Sequence, residues 1–262
     1  MADIKLFADL SEPLLSLLRT DATLVDGVEV GPWFKVSQVR AYRQSLPGMP
    51  FHFHAADMIE NVGIVSSNSK RIEAYLVCTK SPWASVHISV WNPGEIARMK
   101  NGQRLPLPDP DRGGQRFIGK VKQLAPTIKV PVLIENVEPL PLDNYDYWAR
   151  PEFIQRILEK TGCDFLLDIG HARISAECLG IDIHDYLQQL PLERVVQVHA
   201  SGPRWVNGRL WDVHQPLQQE DYNVLDFVLA RTQPQVVTLE YIQEAQALQD
   251  QLARLRNILE GT

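Results

Sequence analysis

The stretch FLLDIGHARISAECLGIDIHDYLQQLPLERVVQVHASG, residues 165–202, decides the fold. An apolar run that ends at Asp168 opens it, a second apolar run that ends at Ala200 closes it, and segments with helical spacing lie between them. Asp182 stands where a short polar side chain can cap a helix. Strand, helix and strand in this order are typical of a parallel sheet built from βα units.

The same alternation runs along the whole chain. Ser11, Pro151 and Asp221 mark further predicted helix starts, and the Leu-rich segment Gln243–Leu259 is predicted to be the helix that closes the ring. Eight short apolar or β-branched runs predict the strands: Ile4–Ala8, Gly27–Val30, Phe51–His54, Ala84–Val90, Val130–Asn136, Asp164–Ile169, Arg194–Ala200 and Gln235–Tyr241. Eight such units in 262 residues predict one α/β domain, a (β/α)8 TIM barrel over residues 1–262.

The composition is that of a globular, mildly acidic protein. Hydrophobic residues make up 45% and charged residues 22%, and no stretch is apolar enough to span a membrane. The N-terminal sequence MADIKLFADL lacks the features of a secretory signal, so we expect a cytoplasmic protein. The net charge of -6 disfavours a nucleic-acid partner, because such binding needs clustered Lys and Arg. Cys78, Cys163 and Cys178 are scattered, and we expect them to be reduced core residues.

Two connections are longer than packing requires. Trp91–Gly114 and Glu138–Arg150 are rich in proline and glycine, so both are predicted to be irregular loops after the fourth and fifth strands. In a barrel of this kind, such loops lie at the C-terminal rim, where substrates bind. Aromatic residues of the rim loops either grip a peptide or pack the loops onto the barrel; they are Trp91, Tyr145, Tyr147, Trp148, Trp205 and Trp211.

The histidines follow the predicted strands. Of the seven, only His184 falls within a predicted helix. A single histidine on an apolar strand is usually a hydrogen-bonded core residue, but six in equivalent places indicate a shared function. The six in or just after strands are His52, His54, His87, His171, His199 and His214.

Four carboxylates stand at the same places. Glu135 lies in VLIENV, Asp168 in FLLDIGHA, Asp212 in WDVH and Glu240 in VTLEY. A carboxylate at the end of an apolar strand is desolvated unless it is paired or bound to a cation. No Lys or Arg near those strand ends can neutralise all four, so the sequence predicts a cluster of two or three divalent or trivalent metal ions.

Local spacing selects the ligands. In WDVH, Asp212 and His214 are two residues apart and are expected to point to one side of an extended segment. In FHFHAAD, the later histidine, His54, is closer to the C-terminal rim, so we choose it as a ligand. We expect His52 to be a core residue or to support a ligand.

The segment LDIGH places two further ligands near each other. Asp168 ends the strand and His171 follows in what is predicted to be a loop. Gly170 is expected to let the chain turn, so that both side chains face the barrel mouth.

The order of these residues resembles the nine-ligand set of the endonuclease IV and xylose-isomerase-like barrels, over nearly the whole chain. The resemblance implies a xylose-isomerase-like TIM barrel with three metal ions at its mouth. It assigns His54, His87 and Glu135 to the first ion, Glu135, Asp168, His199 and Glu240 to the second, and His171, Asp212 and His214 to the third.

Several segments resemble one branch more closely, the multinuclear non-haem iron-dependent oxidative enzymes. These segments are VDGVEVGP, VLIENV, the stretch 165–202 and GRLWDVHQPL. The helix that ends in LPLER and leads into VHASG is the most specific feature. The resemblance implies an iron enzyme that uses O2 to oxidise a cysteine, or the backbone beside it, in a peptide that a partner protein presents. Imidazole and carboxylate ligands suit iron, and zinc or manganese would also accept them.

Other functions stay open on the sequence alone. The same ligands would serve metal-assisted hydrolysis of a phosphoester. A sugar isomerase or epimerase, acting on a small-molecule substrate, would need a single-ion site made of Glu135, Asp168, His199 and Glu240, and would leave the other five ligands unexplained. A non-catalytic protein that binds metal or a partner is the last alternative. No catalytic residue beyond the metal ligands is predicted.

Overall fold

The computed structural model describes residues 3–59, 65–90, 93–139 and 145–261. The barrel strands are β1 Lys5–Asp9, β2 Gly27–Val30, β3 Phe51–Ala56, β4 Ala84–His87, β5 Val132–Glu135, β6 Asp164–Asp168, β7 Val195–Ala200 and β10 Val236–Leu239. These eight parallel strands close into a barrel in the order β1-β10-β7-β6-β5-β4-β3-β2, which confirms the predicted TIM barrel. Each of the eight predicted strands overlaps one of these.

Alternation along the strands produces two apolar layers. On β5, Ile134 packs in the large cluster between the barrel and its helices, whereas Leu133 belongs to a small cluster with Phe7 and Trp83 inside the barrel. The inner cluster is tightly filled: a Cβ on Gly27 would lie 2.2 Å from the Phe7 ring. The next inward position on β5 is Glu135, so the polar strand ends lie directly above this inner apolar cluster.

Ten α-helices surround the barrel in the described part of the chain: α1 Glu12–Leu18, α2 Val36–Ser45, α3 Val65–Thr79, α4 Pro93–Lys100, α5 Pro110–Ile128, α6 Pro151–Thr161, α7 Ile169–Leu179, α8 Ile183–Gln188, α9 Gln219–Leu229 and α10 Ala245–Glu260. The helix starts expected at Ser11, Pro151 and Asp182 are confirmed. The start expected at Asp221 is wrong, because α9 begins two residues earlier. Asp221 is its third residue, and its carboxylate accepts a hydrogen bond from the backbone N–H of Gln218 at 2.7 Å.

The first long connection is more ordered than expected. Within it, α4 begins at Pro93 and α5 begins at Pro110. The expectation of an irregular loop was wrong there because proline is tolerated in the first turn of a helix, where its missing N–H has no intrahelical partner.

The rim aromatics divide into two groups. Tyr145, Tyr147 and Trp148 are buried and pack their loop onto the barrel, whereas the side chains of Trp205 and Trp211 are 57% and 39% exposed. Trp91 lies outside the described residues.

Among the cysteines, Cys163 is buried as expected, Cys78 is half-buried, and Cys178 is exposed, which corrects its placement in the core. Within the described part of the chain, no helix is both long and apolar enough to cross a membrane.

A β-hairpin after β7 was not predicted. It consists of β8 Gly202–Val206 and β9 Arg209–Gln215, which form a separate antiparallel sheet. Asn207 and Gly208 make the turn with φ angles of 52° and 76°. An Asn-Gly pair between two strands is the strongest local signal for such a hairpin, so the sequence contained this information.

Candidate metal centre

The nine predicted ligands lie together at the C-terminal mouth of the barrel. Parallel pairing aligns His87 with Glu135, and Asp168 with His199, so neighbouring strands end in neighbouring ligands. Glu240 follows β10 directly. Asp212 and His214 reach the mouth from the hairpin strand β9.

Glu135 is at the centre of this cluster. Its Oε2 atom lies 3.5 Å from His54 Nδ1 and 3.4 Å from His87 Nε2. Its Oε1 atom lies 3.5 Å from His199 Nδ1 and 3.7 Å from His171 Nδ1. A carboxylate that faces four imidazoles with both oxygens is placed to bridge two ions.

Asp168 and His171 differ from the expectation in their local structure. His171 lies in the first turn of α7 rather than in a loop, and Asp168 caps that helix by accepting a hydrogen bond from the His171 N–H at 2.6 Å. Gly170 is helical and is needed for close approach rather than for a turn, because a Cβ there would lie 2.1 Å from Ser201 Oγ. The expected proximity of the two ligands nevertheless holds.

The hairpin pair also meets by a different route from the one expected. His214 has a φ of 46°, so the chain bends at this residue instead of continuing as an extended segment. Its Nε2 atom lies 2.8 Å from Asp212 Oδ2 and 3.7 Å from Glu240 Oε2. Asp212 Oδ2 is also 3.5 Å from His171 Nε2, which joins the hairpin to the barrel cluster.

Each of the four barrel histidines has one ring nitrogen held by the protein. Ser85 Oγ lies 2.8 Å from His54 Nδ1, and Asp57 Oδ1 lies 2.8 Å from His87 Nδ1. The backbone carbonyl of Asn136 lies 2.9 Å from His171 Nδ1, and Glu29 Oε1 lies 2.7 Å from His199 Nε2. The opposite nitrogens of His87 and His199 face Glu135, whereas those of His54 and His171 face His87 Nε2 at 3.1 Å and Asp212 Oδ2 at 3.5 Å. Such fixed rings are typical of metal-binding histidines.

The donor set fits metal ions. Three groups each bring one atom per residue within 4.8 Å of the others: His54, His87 and Glu135; Glu135, Asp168 and His199; and Glu29, His199 and Glu240. Within the described part of the chain, the carboxylate oxygens Glu135 Oε2 and Asp168 Oδ2 are buried without a hydrogen-bond partner. Buried carboxylate oxygens of this kind call for a cation.

The pKa values show how the cluster balances its charge without metal. Burial alone would lower the pKa of His199, but Glu240, Glu29 and Glu135 raise it well above its ordinary value. Burial raises the pKa of Asp168 to about 7, although His171 opposes this shift. Protons on the imidazoles therefore compensate the carboxylates, and metal ions would replace those protons.

Two buried carboxylates beside the predicted ligands were not predicted from the sequence. Glu29, in the strand GVEV, is fully buried, and Asp9 ends β1 beside the same cavity. Burial, together with Glu240 and Glu29, raises the pKa of Asp9 well above its ordinary value. Both residues carry the signal that revealed the others, an acidic residue in an apolar strand.

His52 behaves as the core residue expected. Its ring centroid lies 4.3 Å from that of Phe7 and 4.6 Å from that of Trp83. Burial lowers its pKa to about 4, which keeps the ring neutral. His52 therefore packs against the inner apolar cluster below the ligands.

A cavity of about 510 Å³ opens above the cluster. Its floor consists of candidate ligands, including His54, His87 and Glu135, and its walls include Trp33, Met58 and Arg71. The Trp33 ring centroid lies 6.4 Å from that of His54, so an apolar surface adjoins the ligands. A side chain of a larger substrate can reach the cluster through this opening.

Comparison with solved structures places the fold among sugar epimerase barrels. A D-tagatose 3-epimerase-like protein superposes with a TM-score of 0.61 at 16% identity, covering 98% of this chain and 97% of that one. The 3-keto-D-glucoside 4-epimerase of E. coli gives a TM-score of 0.60 at 16% identity, covering 97% and 99% of the two chains. Similarity at this level shows the shared fold alone.

Sequence relatives are more specific. The UPF0276 protein of Caulobacter vibrioides is 25% identical over 252 residues, which covers 92% of this chain and 87% of the relative. A UPF0276 protein of Acaryochloris marina is 25% identical over 214 residues, covering 80% of this chain and 74% of the relative. Residues 36–260 match the model of the RiPP precursor modification enzymes MbnB, TglH and ChrH, where RiPP denotes a ribosomally synthesised and post-translationally modified peptide. The match confirms the family to which the sequence segments pointed. The chain belongs to the MbnB/TglH/ChrH family of RiPP precursor modification enzymes.

Proposed function

We propose that this protein is a multinuclear metal enzyme, with iron as the favoured metal, that uses O2 to oxidise a cysteine of a precursor peptide. One observation supports the proposal: in a chain of the peptide-modifying family, nine imidazole and carboxylate side chains gather at the barrel mouth, and seven of them line one cavity. Imidazole and carboxylate donors suit iron, and they would also bind zinc or manganese.

The ligand assignment is part of the proposal. His54, His87 and Glu135 would hold the first ion, and Glu135 would bridge to the second. Asp168, His199 and Glu240 complete the second position. His171, Asp212 and His214 would hold the third ion. The first set coincides with one of the groups of close donor atoms, and most of the second set coincides with another.

Bound iron would supply a redox centre and a Lewis acid for the substrate thiolate and O2. The protein's own residues prepare the site. Serine, carboxylate and backbone partners fix the imidazole rings, so the ligands need little rearrangement. Bound divalent ions would bring positive charge to the cavity floor, which favours the binding of an anionic thiolate.

The cavity walls suit a peptide. Trp33 and Met58 offer apolar contacts next to the ligands, and exposed Arg71 has no ion pair among the residues that the structure describes. Its guanidinium is available to a carboxylate of the substrate. A partner protein that presents the peptide, and a cytoplasmic location, stay predictions.

The test is anaerobic purification and Fe(II) loading, followed by metal analysis, Mössbauer spectroscopy and reaction with a cysteine-containing precursor peptide. We expect more than one iron per chain, and mass spectrometry should show an O2-dependent mass change confined to the cysteine. Cysteine-to-serine substitution in the peptide is the matched control, and it should abolish the change.

Other outcomes would favour the alternatives. Zinc or manganese alone, with phosphodiesterase activity, would replace oxidation by hydrolysis. A single ion, with interconversion of sugars, would favour an isomerase or epimerase. Full metal loading with no reaction of the peptide would contradict the proposal.

A further inference from the structure

A buried carboxylate lies on the side of His199 that faces away from the other ligands. His199 Nδ1 is 3.0 Å from Glu240 Oε1 and 3.5 Å from Glu135 Oε1. His199 Nε2 is instead 2.7 Å from Oε1 of Glu29, which is 1% exposed. The two nitrogens of this ring therefore face two different carboxylate environments.

A chain of hydrogen bonds determines how Glu29 is held. Trp83 Nε1 donates to Gln197 Oε1 at 2.7 Å, and Gln197 Nε2 donates to Glu29 Oε2 at 2.7 Å. Because the indole nitrogen can only donate, the amide oxygen of Gln197 must face it, and the amide NH2 must face Glu29. The orientation of the Gln197 amide is thus fixed by its partners.

The contacts of Nε2 indicate where its proton lies. Gln197 Nε2 is also 3.1 Å from His199 Nε2, but its two hydrogens are taken up by Glu29 Oε2 and by Thr238 Oγ1, which is 3.0 Å away. Glu29 Oε1 lies 2.7 Å from Nε2, and because an ionised carboxylate oxygen can only accept, this close contact requires a proton on Nε2. A proton on Nε2 leaves the lone pair of Nδ1 free, on the side of Glu135 and Glu240.

We propose that Glu29 is a positioning residue, which holds the Nε2 proton of His199 so that Nδ1 binds metal. The inference rests on the metal centre proposed above and adds a residue outside its nine ligands. A carboxylate behind a ligating histidine fixes its tautomer and raises the basicity of its donor nitrogen. Trp83 and Gln197 extend this support across the barrel interior.

The alternative is that Glu29 itself binds metal, because Glu29, His199 and Glu240 also form a group of close donor atoms. In that case Nε2 of His199 would carry the metal and Nδ1 the proton. The two possibilities assign the proton of one ring to opposite nitrogens, so they are distinguishable by NMR.

The experiment uses zinc-loaded protein labelled with 15N-histidine, with His199→Gln to assign the signals. We expect His199 to show a metal-bound Nδ1 and a protonated Nε2. Glu29→Gln offers one acceptor oxygen, whereas His199 Nε2 and the Gln197 amide need two. Zinc affinity at the position that includes His199 should therefore fall about 10- to 100-fold, measured by chelator competition. Trp83→Phe frees the Gln197 amide and should weaken the same position less.

Asp57→Asn is the matched comparison, because Asp57 supports His87 at another ion. It should weaken a different zinc position and leave the His199 signals unchanged. A metal-bound Nε2 in the wild type would overturn the inference and identify Glu29 as a ligand. Unchanged zinc affinity in both Glu29→Gln and Trp83→Phe, each folded by circular dichroism, would overturn it as well. Failure of the wild type to bind more than one zinc would instead count against the metal centre itself.

Discussion

The barrel strands and the hairpin both carry candidate ligands, but they hold them differently. Glu135, Asp168 and His199 are at most 1% exposed and lie on strands that are paired on both sides. The side chains of Asp212 and His214 are 16% and 36% exposed and lie on a two-stranded sheet. A closed barrel has no free edge, whereas a hairpin strand has one. The barrel ligands are therefore fixed by the fold, and the hairpin ligands depend on a smaller structure.

This difference leads to an expectation about the metal ions. Positions built from barrel ligands should bind tightly, because little rearrangement is needed to form them. The third position, shared between His171 and the hairpin, should bind more weakly and exchange faster.

The largest effect is expected at Glu135. Glu135→Gln removes the charge that faces four imidazoles, so at least one barrel ion should be lost and peptide oxidation should fall on the order of 100-fold or more. Elemental analysis and mass spectrometry of the peptide measure both effects. Glu73→Gln, the same change on the exposed face of α3, is the control. Retention of every ion by Glu135→Gln would exclude a bridging role.

A smaller and more selective effect is expected at the hairpin. Asp212→Asn weakens the link between His171 and His214, so the protein should lose one ion and retain the two barrel ions. His171 stays in place because the Asn136 carbonyl holds its Nδ1 atom. Metal content after dialysis checks the result. Loss of all ions from this variant would show that the hairpin and the barrel form one inseparable site.

The same division explains what the sequence could predict. Strands of a closed parallel barrel are buried on both faces, so they appear as apolar runs, and their terminal His, Asp and Glu residues stand out. All eight strands were predictable for this reason. The nine ligands were selected by the same contrast, together with the family resemblance, and the structure brings them to one mouth.

The missed features carried weaker or different signals. Asp9 ends its strand and Glu29 is the third of four residues in its strand, but neither has a histidine nearby in the sequence. The hairpin strand β9 alternates apolar and polar residues, as at Trp211 and Val213, instead of forming the continuous apolar run that is typical of the barrel strands. The role of Gly170 depends on Ser201, a contact between strand ends that only the folded barrel creates.

Proton competition should weaken the binding of the third ion at low pH. Burial would lower the pKa of His214, but Asp212 and Glu240 raise it to about 10. His214 is thus protonated in the metal-free protein at neutral pH and must lose that proton to bind metal. Because protonation of His214 opposes binding below pH 10, this residue alone should make affinity at the third position rise by up to about tenfold per pH unit between pH 7 and 9.

Zinc titrations at several pH values measure this dependence. His214→Gln, which has no titrating ring, should bind the third ion more weakly and lose that proton's contribution to the slope. His54 should add little to the pH dependence of zinc affinity at the first position, because burial lowers the pKa of this residue and leaves it neutral. A third-ion affinity that falls as pH rises would contradict the proposed role of His214.

The smallest effect is expected at the hairpin turn. Gly208 has a φ of 76°, in the left-handed region, so Gly208→Ala should destabilise the hairpin by about 1 kcal/mol. If hairpin formation and third-ion binding are coupled, this energy lowers the affinity for the third ion by at most about fivefold. The affinities for the barrel ions and the melting temperature of the barrel should not change. Gly119→Ala is the control, because a Cβ there meets no atom within 4 Å and its φ is outside the left-handed region. Chelator competition measures the affinities, and an equal loss at all positions would mean that the hairpin supports the barrel ligands too. The turn contacts no ligand, so a selective loss would show that the third ion depends on the hairpin's own stability.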